Sequence, residues 1–338
     1  MHRLPRVAAA AAAAAAAVVV VAACSRLSPW PSALLIRAVF HRGARQLATV
    51  MALHVPAGGV AQHRGLQFPA GSLDLFVPTE APAPAPLVVW IHGGAWLSGS
   101  RYDVEPYLRI LAASGYAAAG VSYTRSPRAV YPQALQDVAA ALAFLQKESA
   151  DFGADPRRII LAGDSAGAQL AAQLAVLSTS PEYARRTGLP SPLSRHDLRG
   201  VILHCGIYDV AALASLQGIL GWGFKTALWA YSGKRKWSRT AAGRDISVLS
   251  DVTGDFPPAF ISGGNGDNLT ATQSIPLAVR LTQLHTDVRT RFWPQNHYPP
   301  LPHEYQFHLN RSEARQTLTE TLAFLQAVCP LDAAPKTT

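Results

Sequence analysis

The chain has 338 residues, 49% of them hydrophobic and only 15% charged, with a formal net charge of +9. That apolar content is enough for a sizeable core, excludes disorder of the whole chain, and permits one large α/β domain or two small ones. Apart from a Lys234-Arg235-Lys236 run the basic residues are scattered, and no zinc-finger spacing or other nucleic-acid motif accompanies them. The charge therefore reads as a basic surface suited to anionic lipid, with no nucleic-acid partner.

At the N-terminus, Arg3 and Arg6 precede an apolar run from Val7 to Ala23 that ends at Cys24. A basic segment followed by an apolar one reads as an export signal, and the run is short for a membrane span. Val21-Ala22-Ala23-Cys24 resembles a bacterial lipoprotein box, which implies cleavage before Cys24 and lipidation of its thiol. The expectation is a signal peptide over 1–24 and a catalytic domain over 25–338, held to a membrane by acyl chains. An ordinary cleaved signal, giving a periplasmic or secreted protein, and an uncleaved anchor are the alternatives. The remaining cysteines, Cys205 and Cys329, are expected as buried free thiols, and no CxxC or His/Cys cluster suggests a metal.

Beyond the Pro/Ala-rich connection at 81–86, short apolar segments alternate with longer helical ones. Leu73 to Val77 alternates and is expected as an antiparallel edge strand. Leu87–Ile91, Ala117–Tyr123, Ile159–Ala162, Val201–Leu203, Ala259–Ile261 and Val288–Trp293 read as strands covered on both faces. Between them, Leu135, Val138, Leu142 and Leu145 mark a helix opened by Pro132, with Leu170, Leu174 and Leu177 on an amphipathic second and Leu318, Leu322 and Leu325 on the last. This order predicts an α/β fold, a mostly parallel sheet with helices on both faces. From Val210 to Pro258 no clean strand appears, and Trp222, Phe224, Trp229, Tyr231 and Trp237 crowd together. That stretch is expected as a helical cap insertion, packed with the segment after Cys24, so that cap elements occupy about 25–65 and 210–258. Its aromatics either line an acyl pocket or form the insertion's own small core.

Gly163-Asp164-Ser165-Ala166-Gly167 stands between the strand ending at Ala162 and the helix that follows. In that setting G-x-S-x-G is a nucleophile elbow, in which Ser165 sits on a strained turn and the flanking glycines leave room for it. The helix start behind it presents backbone N–H groups to a developing oxyanion. His92-Gly93-Gly94-Ala95-Trp96 follows the strand Leu87–Ile91 directly, and its small residues allow the backbone to approach a substrate carbonyl. Two later acids lie past strand ends, Asp209 and Asp267, and two histidines, His297 and His303, lie in the loop after the final strand.

With these motifs the chain resembles the hormone-sensitive-lipase-like esterase branch of the α/β-hydrolases, from about Leu87 to the final helix and including Tyr123, Ser126-Pro127 and Asp137. The resemblance implies a triad in the order Ser, acid, His. It favours Asp267 over Asp209, a loop-fixing side chain on this reading, and His303 over His297, an exposed loop residue. His285 and His308 fall in or near helical surfaces, and His92 is expected to fix its own loop. Gly93 and Gly94 would shape the oxyanion hole with the amide of Ala166, and Ala95, where many members carry a third glycine, could replace one loop donor. HGGAW loops also look like those of feruloyl and acetylxylan esterases, aryl formamidases and isoprenylcysteine methylesterases. The implied reaction is cleavage of small or medium acyl esters through an acyl-enzyme, with no metal or organic cofactor. A non-catalytic lipoprotein of the same fold is the reading from another class.

Overall fold

The computed structural model describes residues 23–80 and 84–331. The expected signal over 1–22 and part of the Pro/Ala connection lie outside them. Eight strands form one sheet: β1 (Val60–Phe68), β2 (Gly71–Pro78), β3 (Ala85–Ile91), β4 (Ala117–Val121), β5 (Ala154–Asp164), β6 (Leu198–His204), β7 (Ala259–Gly263) and β8 (Val288–Phe292). Their order is β1-β2-β4-β3-β5-β6-β7-β8. The pairs β1·β2 and β2·β4 are antiparallel, and every pair from β4 to β8 is parallel. This is the α/β-hydrolase arrangement expected from the sequence.

The central strands β3 and β4 are buried along their whole length because each face meets a different set of helices, whereas β8 at the edge leaves Arg289 and Thr290 exposed and is not covered on both faces as expected. Leu87, Val89 and Ile91 of β3, with Ile159 and Leu161 of β5, belong to one core. They pack with Leu135, Val138 and Leu142 of α3 (Gln133–Glu148) and Leu170 and Leu174 of α4 (Ala166–Thr179). Val88 and Trp90, with Ile160 and Ala162, belong to the other. Their partners are Tyr107, Leu108 and Leu111 of α2 (Arg101–Ala113) and Phe324 and Leu325 of α9 (Ser312–Val328). Side chains alternate across a strand, so a sheet wedged between two helical layers needs apolar residues at both parities.

After β3 the chain crosses to β4 on one side, and β5 then takes the other side of β3. This reversal opens a crevice at the carboxyl ends of β3 and β5, where the loops leaving the two strands diverge. Both motifs singled out in the sequence leave the sheet at that point.

Several expected boundaries move. The edge is not Leu73–Val77 but β1, which the sequence hid because its pattern is half-exposed and kinked at Gly65, φ 66°. Asp74 Oδ1 accepts the Gly65 N–H there at 2.7 Å. Residues 60–65 are therefore sheet, and the covering segment near the N-terminus is the 23-residue helix α1 (Trp30–Ala52). Pro132 stands just ahead of α3 and not in its first turn. The helix expected to be amphipathic, α4, is buried on almost every side. Its outer face meets the cap instead of water, so Gln169 and Gln173 are wholly buried. The Val210–Pro258 stretch is helical as expected, with α6 (Gly218–Ser232) and α7 (Ala241–Ile246). The short α5 (Pro181–Thr187) precedes this stretch and α8 (Ile275–Gln283) follows it.

Candidate active site

β5 ends at Asp164 and α4 begins at Ala166, which leaves Ser165 alone at the turn with φ 52° and ψ −119°. A side chain rarely accepts that conformation, and here the surroundings impose it. The Ser165 N–H is tied to the His204 carbonyl at the end of β6, 2.8 Å away. A β-carbon on Gly167 would lie 1.9 Å from the Ile91 carbonyl oxygen, and one on Gly163 2.5 Å from the Gly167 carbonyl carbon. The glycines therefore let the start of α4 press against the end of β3. The amide of Ala166 is the first of its helix and has no carbonyl within that helix to pair with.

The 92–96 loop lies against this turn and is held by side chains below it. His92 Nδ1 is 2.8 Å from the Gly93 carbonyl oxygen, and its ring stacks on Tyr123 with centroids 4.4 Å apart. Burial pushes the His92 imidazole down to about 4, so it stays neutral and fixes its loop as expected. The Tyr123 hydroxyl donates to the His92 carbonyl at 3.0 Å. Gly93 donates its N–H to Asp164 Oδ2 at 2.8 Å, so it shapes the loop but does not turn its amide to the substrate side. Gly94 has φ 104°, and both Ala95 and Trp96 adopt positive φ, 53° and 58°. These successive positive angles reverse the chain, and the N–H groups of Leu97 and Ser98 close the turn on the Gly94 carbonyl at 3.0 and 2.8 Å.

Asp267 and His303 come to Ser165 from the carboxyl ends of β7 and β8. His303 Nε2 lies 3.0 Å from Ser165 Oγ, and His303 Nδ1 lies 2.7 Å from Asp267 Oδ2. The other carboxylate oxygen, Asp267 Oδ1, accepts the Leu269 N–H at 2.9 Å, so the acid is held at both ends. Burial opposes a charge on His303. The hydrogen bond and charge of Asp267 outweigh it, with Glu304 and Asp164 adding, and lift the imidazole to about 9. A hydroxyl, an imidazole and a carboxylate in this sequence can pass a proton away from Oγ as it attacks a carbonyl carbon. Cys205 joins Asp267 and His303 within 4.8 Å, but burial pushes its thiol up, and both His303 nitrogens are engaged with Ser165 and Asp267. That donor set fits a proton relay and not a metal.

The rival residues have other work. Asp209 Oδ1 accepts the N–H groups of Ala211 and Ala212 at 3.0 and 3.4 Å, which fixes the turn after β6. His297 is not the exposed loop residue expected. Its Nε2 lies 3.0 Å from Glu313 Oε1, and its ring packs on Trp293. His285 has φ 61° just past α8, and burial lowers His308. Cys205 and Cys329 are both free and buried, as expected.

The cap aromatics fall into two groups. Tyr231 is buried, stacked on Trp96 at 4.8 Å, and belongs to the core. Trp222, Trp229 and Trp237 line a cavity of about 860 Å³ between α1 and α6, with Leu35 on its other wall. No triad residue lines that cavity. Arg37 of α1 donates to the carbonyls of Leu97 and Ser126 at 2.6 and 2.7 Å, which anchors the helix beside the 92–96 loop.

Esterase B of Lactobacillus rhamnosis superposes with a TM-score of 0.75 at 27% identity, over 88% of this chain and 95% of that one. LipQ of Mycobacterium tuberculosis, an esterase, is 32% identical over 193 residues, 56% of this chain and 44% of LipQ. LipM of the same organism, described as a probable carboxylic ester hydrolase, is 28% identical over 56% of this chain and 43% of its own length. The chain thus spans less than half the length of these two relatives. The BD-FAE family profile matches residues 73–281, a range that begins in β2, includes both motif loops and Asp267, and ends in α8. By its sheet order, its elbow and this match over more than half its length, the chain belongs to the BD-FAE family of the α/β-hydrolase superfamily.

Proposed function

We propose that the protein is a serine hydrolase that cleaves carboxylic esters of small or medium acyl chain through an acyl-enzyme at Ser165. The observation that carries this reading is the continuous relay from Ser165 Oγ through His303 to Asp267, at 3.0 and 2.7 Å. In this reaction His303 takes the Ser165 proton, Oγ bonds to the carbonyl carbon, and the amides of Gly94, Ala95 and Ala166 hold the oxyanion. The alcohol leaves with the proton from His303, and water then attacks the acyl-enzyme with the same base. Oxyanion donors are each worth roughly 3–4 kcal/mol in such transition states, so the strained 94–96 backbone has a use. The names of LipM, LipQ and esterase B support an ester as substrate. A fluorophosphonate probe should label the protein once, and peptide mapping should place the adduct on Ser165. Absence of that adduct from folded protein removes the reading.

We also infer export and tethering through Cys24. The support is the signal-like run before it, the exposure of Cys24, and the exposed apolar side chains Leu27, Trp30, Leu34, Leu35 and Val39 that follow. Among the described residues no helix is long and apolar enough to cross a membrane; on this reading the attachment is carried by acyl chains on Cys24. Mass spectrometry of the protein extracted from the membrane fraction of a bacterial host should find an N-terminal peptide that begins at acylated Cys24. An N-terminal peptide without acyl chains counts against lipidation at this residue.

A further inference from the structure

Beneath the 92–96 loop lies a second acid pair that the relay does not use. Asp164, the residue before the nucleophile, is buried, and its two oxygens accept the Trp90 Nε1–H and the Gly93 N–H, each at 2.8 Å. Glu304, the residue after His303, takes φ 59°, a conformation that its side chain opposes. It turns its carboxyl inward to hydrogen-bond Asp164. A β-carbon on Gly93 would meet Asp164 Oδ2 at 2.2 Å and Glu304 Oε1 at 3.0 Å, so both carboxyls converge on one point under the loop. Glu304 Oε1 is also 3.9 Å from His303 Nε2.

Two carboxyl groups in hydrogen-bond contact cannot both ionise at low cost, and the pair settles by keeping one proton between them. Burial and the Glu304 charge raise Asp164 well above the ordinary carboxylate range, in line with that arrangement. We propose that Glu304 is a positioning residue for ester hydrolysis. Through a proton shared with Asp164 it locks the His303 loop to the nucleophile turn and to the Gly93 amide, and so sets the oxyanion backbone opposite the imidazole. This rests on the esterase reading above and adds to it a residue outside the triad. The remaining groups that face the pair are His303 and Asp267 from the loops after β8 and β7, Cys205 after β6, Tyr123 after β4, and His92 with Arg125 at the far side of the 92–96 loop. None of them gives the two carboxyls a direct cationic partner other than the His303 imidazolium.

The test compares Glu304→Gln and Glu304→Ala with the native chain in p-nitrophenyl butyrate hydrolysis from pH 6 to 11, with rates normalised to sites titrated by a fluorophosphonate. Gln keeps a hydrogen bond to Asp164 and leaves one negative charge at the pair, but has no proton to lose. Its kcat at neutral pH should stay within about threefold of native, with an unmoved acid limb. Its alkaline limb should be displaced upward by at least about one pH unit, because the native pair repels itself once its proton leaves. Ala removes the tie and should lower kcat about tenfold or more, with KM changed less than about threefold, since oxyanion contacts form in the transition state. A native alkaline limb in Glu304→Gln, or a Glu304→Ala kcat within about twofold of native, overturns the proposal. Native hydrolysis and labelling at Ser165 are read in the same experiment, so failure of the esterase reading shows separately.

Discussion

Ser165→Ala should reduce kcat for a short p-nitrophenyl ester by roughly 10⁶-fold while the fold survives. The magnitude follows from what the side chain does in this arrangement. Oγ is the only atom of the relay that bonds to carbon, and alanine leaves His303 and Asp267 with no nucleophile to activate. The backbone has no reason to move. The Ser165 N–H still reaches the His204 carbonyl, and the turn is imposed by the contact of Gly167 with the Ile91 carbonyl. An alanine β-carbon at φ 52° is no more strained than that of the serine it replaces. Residual hydrolysis from the oxyanion amides alone is expected to stay well above the water rate. Thermal unfolding should show a midpoint close to native. Hydrolysis within about tenfold of native would mean that another residue attacks the ester.

Asp267→Asn should lower kcat by about 10⁴-fold, and the reason lies in the second oxygen of the acid. Asp267 Oδ1 accepts the Leu269 N–H and Oδ2 faces His303 Nδ1. An asparagine must place its carbonyl oxygen toward Leu269 to satisfy that amide, which turns its NH₂ toward Nδ1. Nδ1 then has to accept, the ring proton moves to Nε2, and the nitrogen facing Ser165 can no longer take its proton. The pH profile supplies a second reading of the same change. In the native enzyme His303 is lifted above its ordinary value of 6.5, so activity rises as pH rises through that elevated value and the imidazole loses its proton. Without the Asp267 charge and bond, burial dominates and the acid limb should shift to lower pH. A loss smaller than about tenfold, with an unmoved limb, would point to a different acid behind His303.

What the sequence made legible was the chemistry that depends on local pattern. Ser165 and the 92–96 loop were readable because each follows an apolar strand directly. Asp267 and His303 needed the family resemblance, because an acid and a base that meet across β7 and β8 leave no spacing between them to recognise. Other features were hidden for physical reasons. β1 carries polar side chains because one of its faces is wet, and its bulge breaks the alternation between His63 and Leu66. The α4 helix has glutamines where an exposed face would have them, yet a covering layer turns that face into interior. Glu304 gave no signal at all, since its partner Asp164 occupies a position that the elbow pattern leaves unspecified. Gly93 was expected to shape the hole, and its own amide is held by that same Asp164.

Those glutamines bear on how an ester would enter. Gln169 accepts from Trp96 Nε1 at 3.0 Å and donates to the Ile246 carbonyl at 3.1 Å, while Gln173 donates to the Asp245 carbonyl at 2.9 Å. The roof is thus bolted through the floor of the site, and swinging it aside would strand several amide groups in a dry interior at a cost of about 1–3 kcal/mol each. A guest would therefore have to fit beneath a roof that keeps its place.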